Sequence, residues 1–566
     1  MLRPLALLAL MAPLLAALDP AAIRPTPGAA PICHADLGAN DDEPSPAKAI
    51  LTGYGTGGFR IVTASPEAQT FFDNGMQLAH AFAHRAATSA FMRAEELDPR
   101  CAMCVWGDAW SRGPTINYPI DRRQQTEAAA LADKAAVLAQ DNPAVERALI
   151  AALQVRYHEG GGAGPGDDGF ARAMDVLATD HPGDSEIAVI AADAWMIPAS
   201  ARVYAQHRSP LAQHPSLLRA RGLLLEVLRA HPEDTGAIHF YIHATENDGA
   251  GTLALPYAER LGALAPKASH LTHMPSHTFL WAGRFKMTEA ANIEAVKIDR
   301  ANAVRLKIKD GAFGLPYHAH NVQFGLGAAL LDNDAEGALF LAADEAARAP
   351  AIKADDVYEQ RVLGSAYFAY GRYADLKTVR ALPDPGARLP LARTLRLYAI
   401  GEAAARANDP LAVAAAARAM EATPSFDALK DLGVDDRPAA QQVRDLSDVA
   451  RLVLKGRAAI LGRRYDDAVA AYGRAAVIEE ARLATFKDPP AWWYPPRRSL
   501  AAALLAAGRR DAAAVEIRKV LIRWPYDPVS LRIAADAGAA ADPRQTLIYA
   551  NANWSGDIRT LPLALM

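Results

Sequence analysis

Residues 65–99 read SPEAQTFFDNGMQLAHAFAHRAATSAFMRAEELDP. Phe71, Gly75, Leu78, Ala87, Phe91 and Ala94 recur at helical spacing, and Pro99 closes the stretch. The pattern predicts two helices joined by a short turn. The small residues let the first helix approach the second, the aromatics fill the gap between neighbouring pairs, and the proline ends the second helix. One such pair cannot bury its apolar face alone, so stacked neighbours must share a continuous core.

Further copies lie downstream. Gly456, Tyr465, Ala468, Tyr472 and Ala475 hold the same relative places, as do Leu363, Gly364, Tyr367, Gly371 and Tyr373, and Leu500, Gly508, Ala513 and Pro525. The turn between the helices recurs as Gly283-Arg284-Phe285, Gly371-Arg372-Tyr373, Gly462-Arg463-Arg464 and Gly508-Arg509-Arg510. On these residues the chain resembles the tetratricopeptide repeat family, in an exported, bacterial-type form. The resemblance covers most of residues 65–540, with degenerate or inserted segments near 112–210 and 299–316. It implies an all-α solenoid of stacked helix-turn-helix repeats, whose concave groove is lined by the first helix of each repeat. By default it also implies a protein or peptide ligand in that groove. The expected organisation is 1–18 signal peptide, 19–64 Pro/Gly-rich linker, 65–210 first repeats, 211–349 histidine-rich middle repeats, 350–545 last repeats and 546–566 tail.

The chain has 566 residues, a net charge of −4, 51% hydrophobic and 22% charged residues. This balance excludes disorder as the dominant state. With a pI of about 6.4 there is no basic surplus for a nucleic-acid surface. Arg3 followed by the apolar run Leu5 to Leu18 reads as a secretory signal, with an uncleaved anchor as the alternative. It predicts a periplasmic or secreted protein with no membrane span after signal removal. Of Cys33, Cys101 and Cys104, the last two form a Cys-x-x-Cys pair: a small disulfide, a redox or metal pair, or two buried small residues.

The chemistry-bearing pattern is in the histidines. His239 and His243 are four residues apart on one helix face, and His273 and His277 repeat that spacing 34 residues later, one repeat length on. With Pro266 and Gly283 as landmarks, His239 and His273 take position 5, His243 and His277 position 9, and His270 position 2 of their repeats. His320 takes position 2 of the following repeat, Gln323 position 5, and Glu246 and Asn247 positions 12 and 13. If the family geometry holds, all of them face the groove. Pro275 either bends its helix or starts it, leaving His273 in the preceding turn.

Six imidazoles turned to a shared space suit a transition metal ion: zinc, copper or iron. Glu246 is the candidate catalytic group, as a general base, with ligand or outer-sphere acceptor as other roles. Tyr241 and Tyr317 offer further phenols. A metal-dependent enzyme (oxidoreductase or hydrolase) acting on a substrate at the metal, a metal carrier and a peptide-binding scaffold all stay open. GxxxxGK[ST], GxSxG and HExxH are absent from the sequence. Trp492-Trp493-Tyr494-Pro495-Pro496 reads as an aromatic plug between repeats.

Overall fold

The computed structural model describes residues 45–117, 119–160, 165–206, 214–246, 250–423, 437–484 and 489–566. The expected signal 1–18, residues 19–44 of the expected linker, Cys33 and Asn247 lie outside the described residues. The helices are α1 Pro66–His80, α2 His84–Leu97, α3 Ala102–Ser111, α4 Arg122–Leu138, α5 Ala144–His158, α6 Pro165–Asp180, α7 Ser185–Gln206, α8 Pro215–Ala230, α9 Thr235–Thr245, α10 Leu255–Leu264, α11 Ser269–His273, α12 Pro275–Trp281, α13 Phe285–Leu306, α14 His318–Asp332, α15 Ala335–Glu345, α16 Val357–Tyr373, α17 Leu376–Ala381, α18 Pro390–Arg406 and α19 Pro410–Glu421. Helices Arg437–Leu461, Tyr465–Ile478, Pro496–Ala506, Arg510–Arg523, Pro528–Ala537 and Pro543–Ala552 follow. There is no β-strand among the described residues. The fold is an all-α, tetratricopeptide-like solenoid.

The landmarks of the repeat act as their chemistry requires. A Cβ on Gly75 would lie 2.6 Å from the Phe91 ring, and one on Gly456 2.5 Å from the Tyr472 ring, so glycine is what lets the paired helices meet. Aspartates open many helices: Asp234, Asp334, Asp356, Asp409 and Asp527 each accept from a first-turn N–H. Each such cap is worth about 1 kcal/mol. Alternate helices form the inner layer, with α1 on α3, α3 on α5, α7 on α9, α9 on α12, α14 on α16 and α16 on α18.

The array coils until its ends return to the middle. Helix α1 touches α9, Tyr526 packs where Gly283 leaves room for it, and the Ser555 N–H donates to the Asp332 carbonyl at 2.6 Å. Residues 45–64 form no regular element. They run as a strap along the repeats, through Ala64 N–H to Asp98 (2.8 Å), Val62 N–H to Glu146 (2.8 Å), Gly58 N–H to Glu186 (2.5 Å) and Thr56 N–H to Thr235 (2.7 Å). At the strap's other end the Gly53 carbonyl accepts from Lys267 N–H. The last residues likewise lie on the inner layer: Leu563–Leu565 packs against α18, Arg437–Leu461 and Pro496–Ala506. There Arg457 donates to the carbonyls of Ala564 (2.7 Å) and Met566 (2.9 Å).

Cys101 and Cys104 are joined as a disulfide, buried where α3 begins. Trp492 is buried against Phe368 and Tyr398, with ring centroids 5.0 and 5.1 Å away, as a plug between repeats.

Candidate metal centre

Four helices of the inner layer present the six histidines. Asp234 caps α9 through the Ala237 N–H and fixes its register, so that His239 and His243 share its inner face. Helix α11 carries His270 and His273, and α12 carries His277. The two are separated by Met274, whose φ of −51° and ψ of −37° stay helical. Pro275 thus opens α12 at its first position, where its missing N–H costs nothing, and because Met274 keeps helical angles His273 and His277 still share a face. Helix α14 carries His320. All six rings are buried.

The rings do not meet at one point. They form two trios, His239–His243–His270 and His273–His277–His320, and the ligand atoms within each lie within 4.8 Å of one another. In the first, His239 Nε2 is 3.1 Å from His270 Nε2 and 3.1 Å from His243 Nε2. In the second, His273 Nε2 is 2.8 Å from His277 Nε2 and 3.1 Å from His320 Nε2. Each trio takes positions 5 and 9 of one repeat and position 2 of the next.

The outer nitrogens decide what the inner ones are. His239 Nδ1 lies 2.7 Å from the His80 carbonyl, which only accepts, so the ring donates there. Asn292 gives its amide N–H to the Thr288 carbonyl at 2.7 Å, which turns its oxygen towards His273 Nδ1 at 2.6 Å. His273 therefore also donates from Nδ1. Glu246 stands between the trios, one carboxylate oxygen 3.2 Å from His243 Nδ1 and the other 3.1 Å from His277 Nδ1. A neutral imidazole has one N–H. With Nδ1 donating in His239, His243 and His273, each of these neutral rings turns a bare Nε2 lone pair into its trio. The facing lone pairs of His239 and His243, 3.1 Å apart, repel unless a cation, a proton or a metal ion, lies between them.

Burial pushes the pKa values of His239, His270, His273 and His320 well below the usual imidazole value, and the neighbouring rings add to it. Burial also raises the Glu246 carboxyl, but His243 and His277 outweigh it and hold the group down at about 2. The carboxylate thus stays ionised between the two trios.

Aromatic rings close the site. Phe82 stacks on His243 and His270, at 5.6 and 5.0 Å between centroids, and sits edge-on to His239 at 4.5 Å. Phe324 packs on His277, His273 and His320 at 4.8, 5.3 and 5.6 Å. Tyr317 packs on His270 at 4.4 Å, and its hydroxyl accepts from Asn117 at 3.1 Å. Phe82 and Tyr317 both have left-handed backbone, φ 55° and 68°. Bulky residues tolerate that conformation poorly, and it concentrates at functional sites.

The groove positions assigned from the repeat register thus bring all six predicted histidines together, as two neighbouring trios in place of one cluster. Glu246 joins them on the Nδ1 side, away from the Nε2 foci. Tyr241 pairs instead with Tyr257, centroids 5.7 Å apart. His80 is buried against Glu186 at 3.0 Å and serves the site through its backbone carbonyl. Asn292, Phe82 and the full part played by Tyr317 were not foreseeable from spacing. Asn292 lies on an outer helix, and Phe82 comes from the first repeat. The inserted segment before α14 gave the one hint of Tyr317.

No known protein-family model matches the chain, and none of the curated proteins does. Among solved structures it is similar to the human IFIT1 dimer with m7Gppp-AAAA, at 14% identity over 80% of this chain and 89% of that one, with a TM-score of 0.30. It is also similar to yeast Tom70, at 9% identity over 80% and 90% with a TM-score of 0.26. A third is Cut9 in the APC/C Cut9–Hcn1 hetero-tetramer, at 12% identity over 88% of each chain with a TM-score of 0.24. At such scores the overall shapes diverge, and the likenesses say nothing about function.

Proposed function

We propose that the chain is a metalloprotein built on a tetratricopeptide-like solenoid, with one transition metal ion held by each histidine trio. The observation that carries this reading is the convergence of three Nε2 atoms in each trio, with the lone pairs of His239, His243 and His273 turned inward by hydrogen bonds on the opposite side of their rings. Such outer partners are how metal-ligating histidines are oriented. Three imidazoles per ion suit zinc, copper or iron and leave a coordination position for a substrate. Glu246 contacts one ring in each trio. One of its oxygens is hydrogen-bonded to His243 and the other lies 3.1 Å from His277 Nδ1 without a hydrogen bond, so an oxidoreductase and a hydrolase using Glu246 as general base both fit. Export to the periplasm or the exterior belongs to the same proposal and rests on the first 18 residues.

The peptide-scaffold reading has less support. Residues 45–64 and 553–566 of the chain itself lie along the repeats where a ligand would bind, and the histidine rings fill the middle. Elemental analysis of the purified protein tests the proposal. About two transition metal ions per chain are expected, one per trio. A variant with both His243→Ala and His277→Ala should retain none. A parent protein that stays metal-free after incubation with each candidate ion overturns the reading.

A further inference from the structure

Outside the trios, the feature that touches them is an apolar cavity on the far side of Phe324. Gln323, Phe324, Leu331, Phe368, Pro490 and Trp493 line it. Its volume is about 20 Å³, and one water-sized molecule needs about 10–15 Å³ by that measure. A small apolar cavity stays dry and takes small nonpolar molecules. Phe324 lies between it and the second trio, since the ring that lines the cavity also packs on His273, His277 and His320. Of the polar side chains on its wall, the Ser365 hydroxyl donates to the Val362 carbonyl, whereas the Gln323 amide oxygen is buried and without a hydrogen-bond partner.

The donor set narrows the metal. Among the described residues, the two groups that close around a common point are all imidazole, with no thiolate or carboxylate in either. The common oxygen-using non-haem iron site pairs two histidines with a carboxylate ligand, and zinc has no redox chemistry. Copper fits an all-imidazole set and changes oxidation state by one electron. The trios are adjacent: His270 and His273 have centroids 6.0 Å apart, His243 and His277 6.3 Å, and Glu246 contacts both sides.

We propose that the paired trios hold two copper ions and that dioxygen is their substrate, entering through the cavity beside Phe324. The inference rests on the metal reading above. Dioxygen takes one electron from each of two Cu(I) ions and one proton from each of two waters, giving hydrogen peroxide, two Cu(II) ions and two hydroxide ions. The Gln323 oxygen offers the protonated product an acceptor that dioxygen does not need.

The test uses the full chain loaded anaerobically with Cu(I) and freed of excess metal. Oxygen uptake and hydrogen peroxide are followed on mixing with aerated buffer. About one dioxygen should be consumed per two copper ions. His320→Ala, which dismantles one trio, should hold half the copper and lose at least tenfold in rate per copper. Gly327→Leu adds a side chain where a Cβ at this cavity-lining glycine has open space. It should keep its copper and slow uptake at least tenfold. Full copper loading with no oxygen uptake overturns the dioxygen proposal and leaves the metal reading standing, whereas failure to retain copper, with zinc or iron bound instead, overturns the choice of metal. Unchanged rates in Gly327→Leu refute the cavity route, and an unchanged rate per copper in His320→Ala refutes the pairing.

Discussion

His273 Nε2 lies 2.8 Å from His277 Nε2, although Asn292 has drawn the His273 Nδ1 proton to the outside. The contact is favourable with a metal ion at the focus or with the His277 proton on Nε2. Asn292→Ala should therefore free the His273 ring to choose the other tautomer. Loss of such an outer partner typically costs about 10–100-fold in metal affinity. Competition against a chromophoric chelator should show this loss at one of two sites, with the first trio unaffected.

Glu246→Gln separates orientation from base catalysis. A glutamine amide has one acceptor oxygen, so it cannot serve His243 and His277 alike. Metal affinity is expected to fall at both trios, again by about 10–100-fold. Unchanged affinity with lost turnover would return Glu246 to the general-base role.

Metal should also stabilise the fold, because an ion that binds only the folded chain adds RT ln(1 + [L]/Kd). At a free metal concentration 100 times Kd this is about 2.7 kcal/mol per site. Thermal melts with and without metal should shift upward accordingly, and a chelator should reverse the shift. The double variant His243→Ala plus His277→Ala should show no shift.

Near the end of α14, stability should depend on alkaline pH. Burial first, then the Asp332 and Asp334 carboxylates, push Glu289 up to about 9. Burial raises Asp332 to about 7. A carboxyl raised in the folded state favours folding fully below its unfolded pKa of about 4.3 and loses that contribution as pH rises through the folded value. Urea unfolding should show lower stability at pH 9.5 than at pH 6, and Glu289→Gln should flatten the difference.

Arg457 tests the returning C-terminal segment. Its buried guanidinium pairs with Glu402 at 3.0 Å and donates to the carbonyls of Ala564 and Met566. Arg457→Ala strands the buried Glu402 carboxylate, a loss of about 3–5 kcal/mol. Chemical denaturation measures it, and a loss below about 1 kcal/mol would mean the pair behaves as a surface one.

The histidine site was legible because the repeat imposes a ruler. His239 and His273 differ by one repeat, as do His243 and His277, and helical periodicity places each pair on one face. The grouping into two trios was not legible, because it depends on how far one repeat rotates against the next. For the same reason the His80 carbonyl and Phe82 could not be anticipated. They reach His239 only because small rotations between repeats accumulate until α1 meets α9. The strap and the final residues carry no periodic signal, since they are held by backbone hydrogen bonds and by single buried side chains such as Tyr54, Ile61 and Met566, not by an amphipathic face.

Each trio draws two rings from one repeat and its third from the next. Arrays of this kind ordinarily tolerate local fraying, because every unit answers only to its neighbours. An ion seated across a joint acts as a rivet: two successive seams, between α9 and α11 and between α12 and α14, can open only by releasing their cargo. Mechanical looseness anywhere in this middle stretch would then be reported as metal loss.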